Sequence, residues 1–284
     1  MIKQDAVHGL PTTMNETHIG FCNECAANKI HQSSFSHERM IRANGFLDLI
    51  HTDICGPMKT QSHSGCRFFI KFIDDYSRKG HVYFLKAKNE AFEKFQDFKA
   101  LVENETGRRI KILCSDRGGE YIGREFDRFL RQNGIRHQLT APYSPQQNGI
   151  AERYNRTIVE IARTMLHAAN LLYINWAEAV HIAVYIQNRC ITQGLVKSTV
   201  DNQEEDKSKK FITPEEMWSG EKPYISHLRT FGCEAYVKRN TYHHKFEEKG
   251  EKCIFLRYEL NFKSISIMEH TKALLSYFKK CSIQ

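Results

Sequence analysis

The 284 residues are 41% hydrophobic and 26% charged, proportions of an ordinary soluble globular protein with room for one good-sized core and one or two small appendages. Lys and Arg outnumber Asp and Glu by 41 to 33, and the net charge of +8 favours nucleic acid as a partner, although many basic proteins bind none. Nine cysteines at irregular spacing do not form a secreted disulfide framework, no apolar signal stretch opens the chain, and no run approaches the roughly 18 apolar residues of a membrane span, so a reducing, intracellular setting without a membrane role is expected.

The first 40 residues show no persuasive periodicity but contain Cys22-Asn-Glu-Cys25. Such a pair offers two thiolates to one tetrahedral Zn²⁺, which needs four ligands. None of His8, His18, His31 and His37 completes a finger spacing with it, so the motif supplies half a zinc site, or two reduced thiols in a loop. From Gly45 the pattern sharpens. Phe46 to Ile54, Arg67 to Asp74 and His81 to Lys86 read as three strands joined by short turns, an antiparallel meander. Asn89 to Thr106 places Phe92, Phe95, Phe98 and Leu101/Val102 at helical spacing and is stopped by Gly107. Arg109 to Ser115 is a fourth strand, Glu125 to Gln132 a short helix, and Ile135 to Leu139 a fifth strand.

A Pro/Gln/Gly-rich loop, 140–149, then leads into a helix with Ile150, Tyr154, Ile158, Ile161 and Met165 on one stripe and Glu152, Asn155, Arg156 and Arg163 on a polar face. A second helix, Tyr173 to Asn188, buries Trp176, Val180 and Val184. Ser198 to Lys210 is densely charged in both signs and reads as a solvated linker or insertion. Thr213-Pro-Glu-Glu-Met-Trp218 is a capped helix start, and Phe231 to Val237 with Lys252 to Tyr258 are short strands of a small β domain. The expected organisation is a partial zinc-binding segment (1–41), a core (42–197), a charged linker (198–212), a small β-barrel-like domain (213–262) and an unassigned tail (263–284).

Three carboxylates stand out of this pattern. Asp53 and Asp116 each close a short apolar strand, and Glu152 lies in the first turn of a helix. Two strand-borne aspartates and a helix-borne glutamate are the minimum needed to hold two Mg²⁺ ions about 3.5–4 Å apart for in-line attack on a phosphodiester. A simpler account of Glu152 also exists: a first-turn carboxylate complements the helix dipole, and Arg156, four residues on, can pair with it.

Several blocks together resemble the integrase region of copia-type LTR retrotransposon Pol polyproteins. They are Cys22-x-x-Cys25, His51-Thr-Asp53-Ile-Cys-Gly-Pro57, Phe72-Ile-Asp-Asp-Tyr-Ser-Arg78, Ser115-Asp116-Arg-Gly-Gly-Glu-Tyr121 and Pro142-Tyr-Ser-Pro-Gln-Gln-Asn-Gly-Ile-Ala-Glu152-Arg-Tyr-Asn-Arg-Thr157. Downstream, Trp176-Ala-Glu-Ala-Val180, Thr213 to Trp218 and His227-Leu-Arg-Thr-Phe-Gly-Cys233 continue the likeness, which runs from about residue 7 to about 262. The resemblance implies an α/β fold with a ribonuclease-H-like mixed five-stranded sheet flanked by helices and a small C-terminal β domain. It also implies a polynucleotidyl transferase that inserts element cDNA into host DNA. By the same resemblance Asp53 would bridge two Mg²⁺ (or Mn²⁺) ions, with Asp116 and Glu152 each holding one.

Gln147, Asn148, Arg153, Asn155, Arg156 and Arg163 are candidates for phosphate or base contacts. Cys22 and Cys25 would hold Zn²⁺ at a site lacking the family's upstream histidines, for which His8 or His18 would have to substitute. The implied partners are element cDNA ends and host target DNA, with a homo-oligomer if the protein is active and the nucleus as the place of action. After Glu259 the likeness fades, which suggests a reading frame cut from a larger, partly decayed gene. The competing reading is a catalytically silent, truncated or domesticated nucleic-acid-binding remnant. A ribonuclease-H-like nuclease unrelated to transposition would share the metal chemistry but leaves the Gln-Asn-Gly-Ile-Ala-Glu-Arg block and the downstream blocks unexplained.

Overall fold

The run Phe68-Phe-Ile-Lys-Phe-Ile-Asp74 is almost continuously apolar because the strand it forms is covered on both faces. A computed structural model describes residues 42–140, 149–192, 195–197, 210–238, 250–258, 264–269 and 279–282. Its principal sheet contains β1 (Ile50–Cys55), β2 (Phe68–Asp74), β3 (Gly80–Leu85), β4 (Ile112–Ser115) and β5 (Arg136–Leu139), in the order β3-β2-β1-β4-β5. The first three are antiparallel neighbours, while β4 pairs in parallel with both β1 and β5. This is the ribonuclease-H-like mixed sheet expected from the sequence.

One face is covered by α1 (Ala91–Thr106) and α2 (Arg124–Gln132). Ile70 and Phe72 of β2 meet Phe95, Phe98 and Val102 of α1 there, and the rings of Phe72 and Phe98 stack at 4.4 Å. Gly107 ends α1 at φ 65°, a left-handed conformation in which its N–H reaches the carbonyl of Glu103. The opposite face is covered by α3 (Gly149–Ala168) and α4 (Trp176–Asn188). In α3 the deeply buried positions are Ala151, Ile158, Ala162 and Leu166, with Tyr154, Ile161 and Met165 packed beside them. The buried stripe is thus centred slightly differently from the predicted one, because small alanines let the helix approach the sheet closely. Strand alternation assigns the side chains of β1 and β2 to these layers. Ile50, Ile54, Ile70 and Phe72 face α1 and α2, whereas Cys55 and Phe69 face α3 and α4.

The first strand begins at Ile50 rather than Phe46. Leu47 has φ 62°, its N–H is taken by Asp74 Oδ1, and Asp48 N–H turns back to the Gly45 carbonyl, so 45–49 form a turn before pairing starts. The fourth strand likewise starts at Ile112 rather than Arg109, since Ile110 N–H is capped by Glu103 Oε1 instead of a strand neighbour.

Beyond α4, the short strands β6 (Val196–Lys197) and β7 (Lys210–Phe211) pair and so bracket the charged segment. They lead to α5 (Pro214–Ser219), where Thr213 caps the Glu216 N–H and Pro214 occupies the first turn. Trp218 stacks edge-on with Phe46 and His81, and Lys79 pairs with Glu215, so α5 packs on the five-stranded unit rather than with the C-terminal strands grouped with it from sequence. Those strands, β8 (Glu234–Lys238), β9 (Gly250–Tyr258), β10 (Ser264–Glu269) and β11 (Lys279–Ser282), form an antiparallel sheet in the order β11-β10-β9-β8. The two last strands fall in the tail that carried no prediction. β9 lies against α4, joining Phe255, Leu256 and Tyr258 to the core cluster on that side. No helix among the described residues is long and apolar enough to cross a membrane.

Candidate acidic site

The parallel pairing of β1 and β4 brings the two aspartates to one edge of the sheet. His51 lies beside Cys114, and extending that register by two residues sets Asp53 beside Asp116. Asp116 directly follows β4, whereas Asp53 lies within β1 rather than closing it as the sequence suggested, because pairing with β2 continues through Cys55. Antiparallel pairing on the other side of β1 places Lys71 of β2 directly across from Asp53. The Lys71 Nζ donates to Asp53 Oδ2 at 3.0 Å, and the lysine is only 1% exposed. From α3, Asn155 Nδ2 donates to the same oxygen at 2.6 Å. One carboxylate oxygen of Asp53 therefore receives a buried ammonium from the sheet and an amide from the helix.

Glu152 sits in the first turn of α3 and is exposed. It is near enough for its charge to favour the protonated form of Lys71, alongside the stronger effect of Asp53, while burial is the larger influence and pushes that lysine's pKa down. Its first-turn position complements the helix dipole as the simpler account expects, but no ion pair between Glu152 and Arg156 is present among the described residues. Asp116 accepts the Gly118 N–H at 3.0 Å. Its pKa is raised, first by burial and then by the charges of Asp53 and Glu120, against the lowering effects of the Gly118 N–H and of Lys88. Behind the loop that carries Asp116, the buried Tyr121 bonds Thr52 Oγ1 at 3.1 Å and so ties the end of β4 to β1.

Asp53 and Asp116, with Glu152 on the first turn of the helix whose Asn155 bonds Asp53, offer hard oxygen donors, the chemistry Mg²⁺ and Mn²⁺ prefer. Asn155 Oδ1 is buried without a hydrogen-bond partner, an acceptor beside these acids that suits the hydration shell Mg²⁺ retains. The donor set therefore fits a divalent ion. Among the described residues, however, no three such side chains are already gathered around one point as metal ligands. Lys71 stands as the cation nearest Asp53.

Arg153, Arg156 and Arg163 are exposed on α3, where the sequence put them. Asn155, predicted with them as a nucleic-acid contact, instead has its side chain directed to Asp53. Cys22, Cys25, Gln147 and Asn148 lie outside the described residues. Sequence reasoning passed over Lys71, although a lone lysine in an otherwise apolar strand was the available signal.

Comparison with known proteins converges on the same region. The family described as integrase core domain matches residues 44–145, a span that includes Asp53 and Asp116 and ends before Glu152. The chain is 43% identical over 241 residues to the retrovirus-related Pol polyprotein from transposon TNT 1-94 of Nicotiana tabacum, covering 84% of this chain and 17% of that protein. It is 33% identical over 255 residues to the corresponding polyprotein from transposon RE2 of Arabidopsis thaliana, covering 89% of this chain and 16% of that one. The chain thus spans about a sixth of the length of these relatives. Among solved structures, a simian T-cell lymphotropic virus intasome in complex with PP2A regulatory subunit B56 gamma aligns with TM-score 0.48 and 14% identity, over 92% of this chain and 88% of that one.

Proposed function

Because this chain belongs to the integrase regions of LTR retrotransposon Pol polyproteins, we propose that its five-stranded unit is a divalent-metal-dependent polynucleotidyl transferase that nicks DNA and joins element cDNA to host DNA. The observation that carries this reading is the register that sets Asp53 of β1 beside Asp116, just past the end of the parallel strand β4, with α3 reaching the same edge through the 2.6 Å bond from Asn155 to Asp53. Asp53, Asp116 and Glu152 would hold the Mg²⁺ or Mn²⁺ ions, whose chemistry when bound is polarisation of a phosphodiester and activation of an oxygen nucleophile.

The protein's own contribution is positional. Lys71 and Asn155 fix the rotation of Asp53, the Gly118 N–H fixes Asp116, and the Thr52–Tyr121 bond couples the two strands that carry them. Arg153, Arg156 and Arg163 offer exposed cations on the helix that bears Glu152, suited to phosphate contacts that position a duplex without reading its sequence. Homo-oligomerisation and a nuclear site of action follow from the same reading.

The test is nicking and strand transfer on a short labelled duplex in Mg²⁺ or Mn²⁺, comparing the wild-type chain with Glu152→Gln. Activity in the wild type and background in the variant is expected, with unchanged stability because Glu152 is exposed. DNA binding without nicking in either protein would instead mark a nucleic-acid-binding remnant.

A further inference from the structure

Lys71 is an unusual residue for its place. It lies in the centre of a strand whose other positions are apolar or at its end, it is 1% exposed, and charged side chains are almost never so deeply buried without a partner. Its partner is Asp53 Oδ2 at 3.0 Å. Strand register makes the pairing obligatory, since Lys71 and Asp53 are directly opposed across β1 and β2. The same oxygen also accepts from Asn155 Nδ2, whereas among the described residues no hydrogen bond goes to Asp53 Oδ1. A carboxylate has about two acceptor sites on each oxygen, so Oδ2 is filled by protein donors and Oδ1 is left for a ligand.

We propose that Lys71 is a resident cation of the acidic site, a positioning residue that neutralises Asp53 from below, divides its two oxygens between protein and ligand, and sets how tightly the site takes a divalent ion. The inference rests on the proposed function, because it concerns the ion that Asp53, Asp116 and Glu152 would hold. Without a lysine at this position the carboxylate edge would carry one more uncompensated negative charge. A divalent cation would then bind more strongly, and the ion-free protein would suffer more from repulsion among the acids. With the lysine, the site stays folded and ordered without metal but binds the metal more weakly. The side chain does not contact the reacting phosphate in this account; it acts through Asp53.

The test is Mn²⁺ binding to the full chain, followed by electron paramagnetic resonance of free Mn²⁺, together with the thermal midpoint of the protein in EDTA and in saturating Mn²⁺. Wild type is compared with Lys71→Met, which keeps the aliphatic volume and removes the charge, and with Lys71→Gln, which keeps a donor should the methionine variant fold poorly. Expected is an affinity for Mn²⁺ roughly tenfold or more above wild type in either variant. A larger rise in thermal midpoint on adding Mn²⁺ should accompany it. Asp116→Asn in the wild-type background should abolish Mn²⁺ binding, showing that the ion read out is the one at this edge. Unchanged or weaker Mn²⁺ binding in a folded Lys71 variant, with the wild type binding normally, overturns the role of Lys71 and leaves the proposed function standing. Binding that Asp116→Asn leaves intact, or no binding by wild type and variants alike, overturns both.

Discussion

Asp53→Asn is expected to abolish nicking and joining and also to destabilise the fold, whereas Glu152→Gln removes only the chemistry. The difference comes from what each carboxylate touches. Glu152 is exposed on the first turn of α3, so losing its charge costs the folded state little. Asp53 is the counter-ion of an ammonium that is 1% exposed, and deleting one partner of a buried pair leaves the other charge uncompensated. Breaking fully buried pairs typically costs about 3–5 kcal/mol. Because the Asp53 side chain is 18% exposed and asparagine still offers an oxygen to Lys71, a loss of about 2–3 kcal/mol is expected in ion-free buffer. Urea unfolding of the two variants in EDTA measures it. Equal stability of Asp53→Asn and wild type would mean that the Lys71–Asp53 contact does not hold the site together.

Phe72→Ala should be the more damaging change to the fold itself, lowering stability by about 3–5 kcal/mol. The ring is fully buried between the sheet and α1, stacked on Phe98 at 4.4 Å and in contact with the rings of Phe95 and Tyr83. Its removal empties a volume that neighbours on a strand and a helix cannot fill by small shifts. Leu101, on the same helix but 42% exposed, is the matched control, and Leu101→Ala should stay within about 0.5 kcal/mol of wild type. Denaturant midpoints compare the two directly. A Phe72→Ala protein as stable as Leu101→Ala would show that the core is not organised around this stack.

Most elements of the five-stranded unit were legible because their patterns are local. The apolar run 68–74, the three-and-four spacing of Phe95, Phe98 and Val102, and the Thr-Pro-Glu-Glu cap at Thr213 each declare an element within a few residues. Strand starts were less legible, since the chain at Leu47 is diverted by a bond to Asp74, 27 residues away, that no local pattern encodes. The same holds for α5, whose sequence neighbours are the C-terminal strands but whose partners, Phe46, Lys79 and His81, come from the beginning of the core. Within the site, Asp53 and Asp116 were visible as residues ending apolar runs and Glu152 as a first-turn helix carboxylate. Their supporting cast was not, because Lys71 reads as an interruption of a strand and Asn155 as part of an exposed helical face until register and helix placement turn both toward Asp53.

The central claim is that Asp53, Asp116 and Glu152 form one divalent-ion site at the edge where β1, β4 and α3 meet. Crystals of the chain grown with Mn²⁺, with diffraction recorded on both sides of the manganese absorption edge, test it most directly. Anomalous density beside Asp53 and Asp116, with Glu152 turned toward it and the density lost in Asp116→Asn, is the predicted result. A well-ordered acidic edge without manganese, and the ion bound elsewhere, would contradict the account.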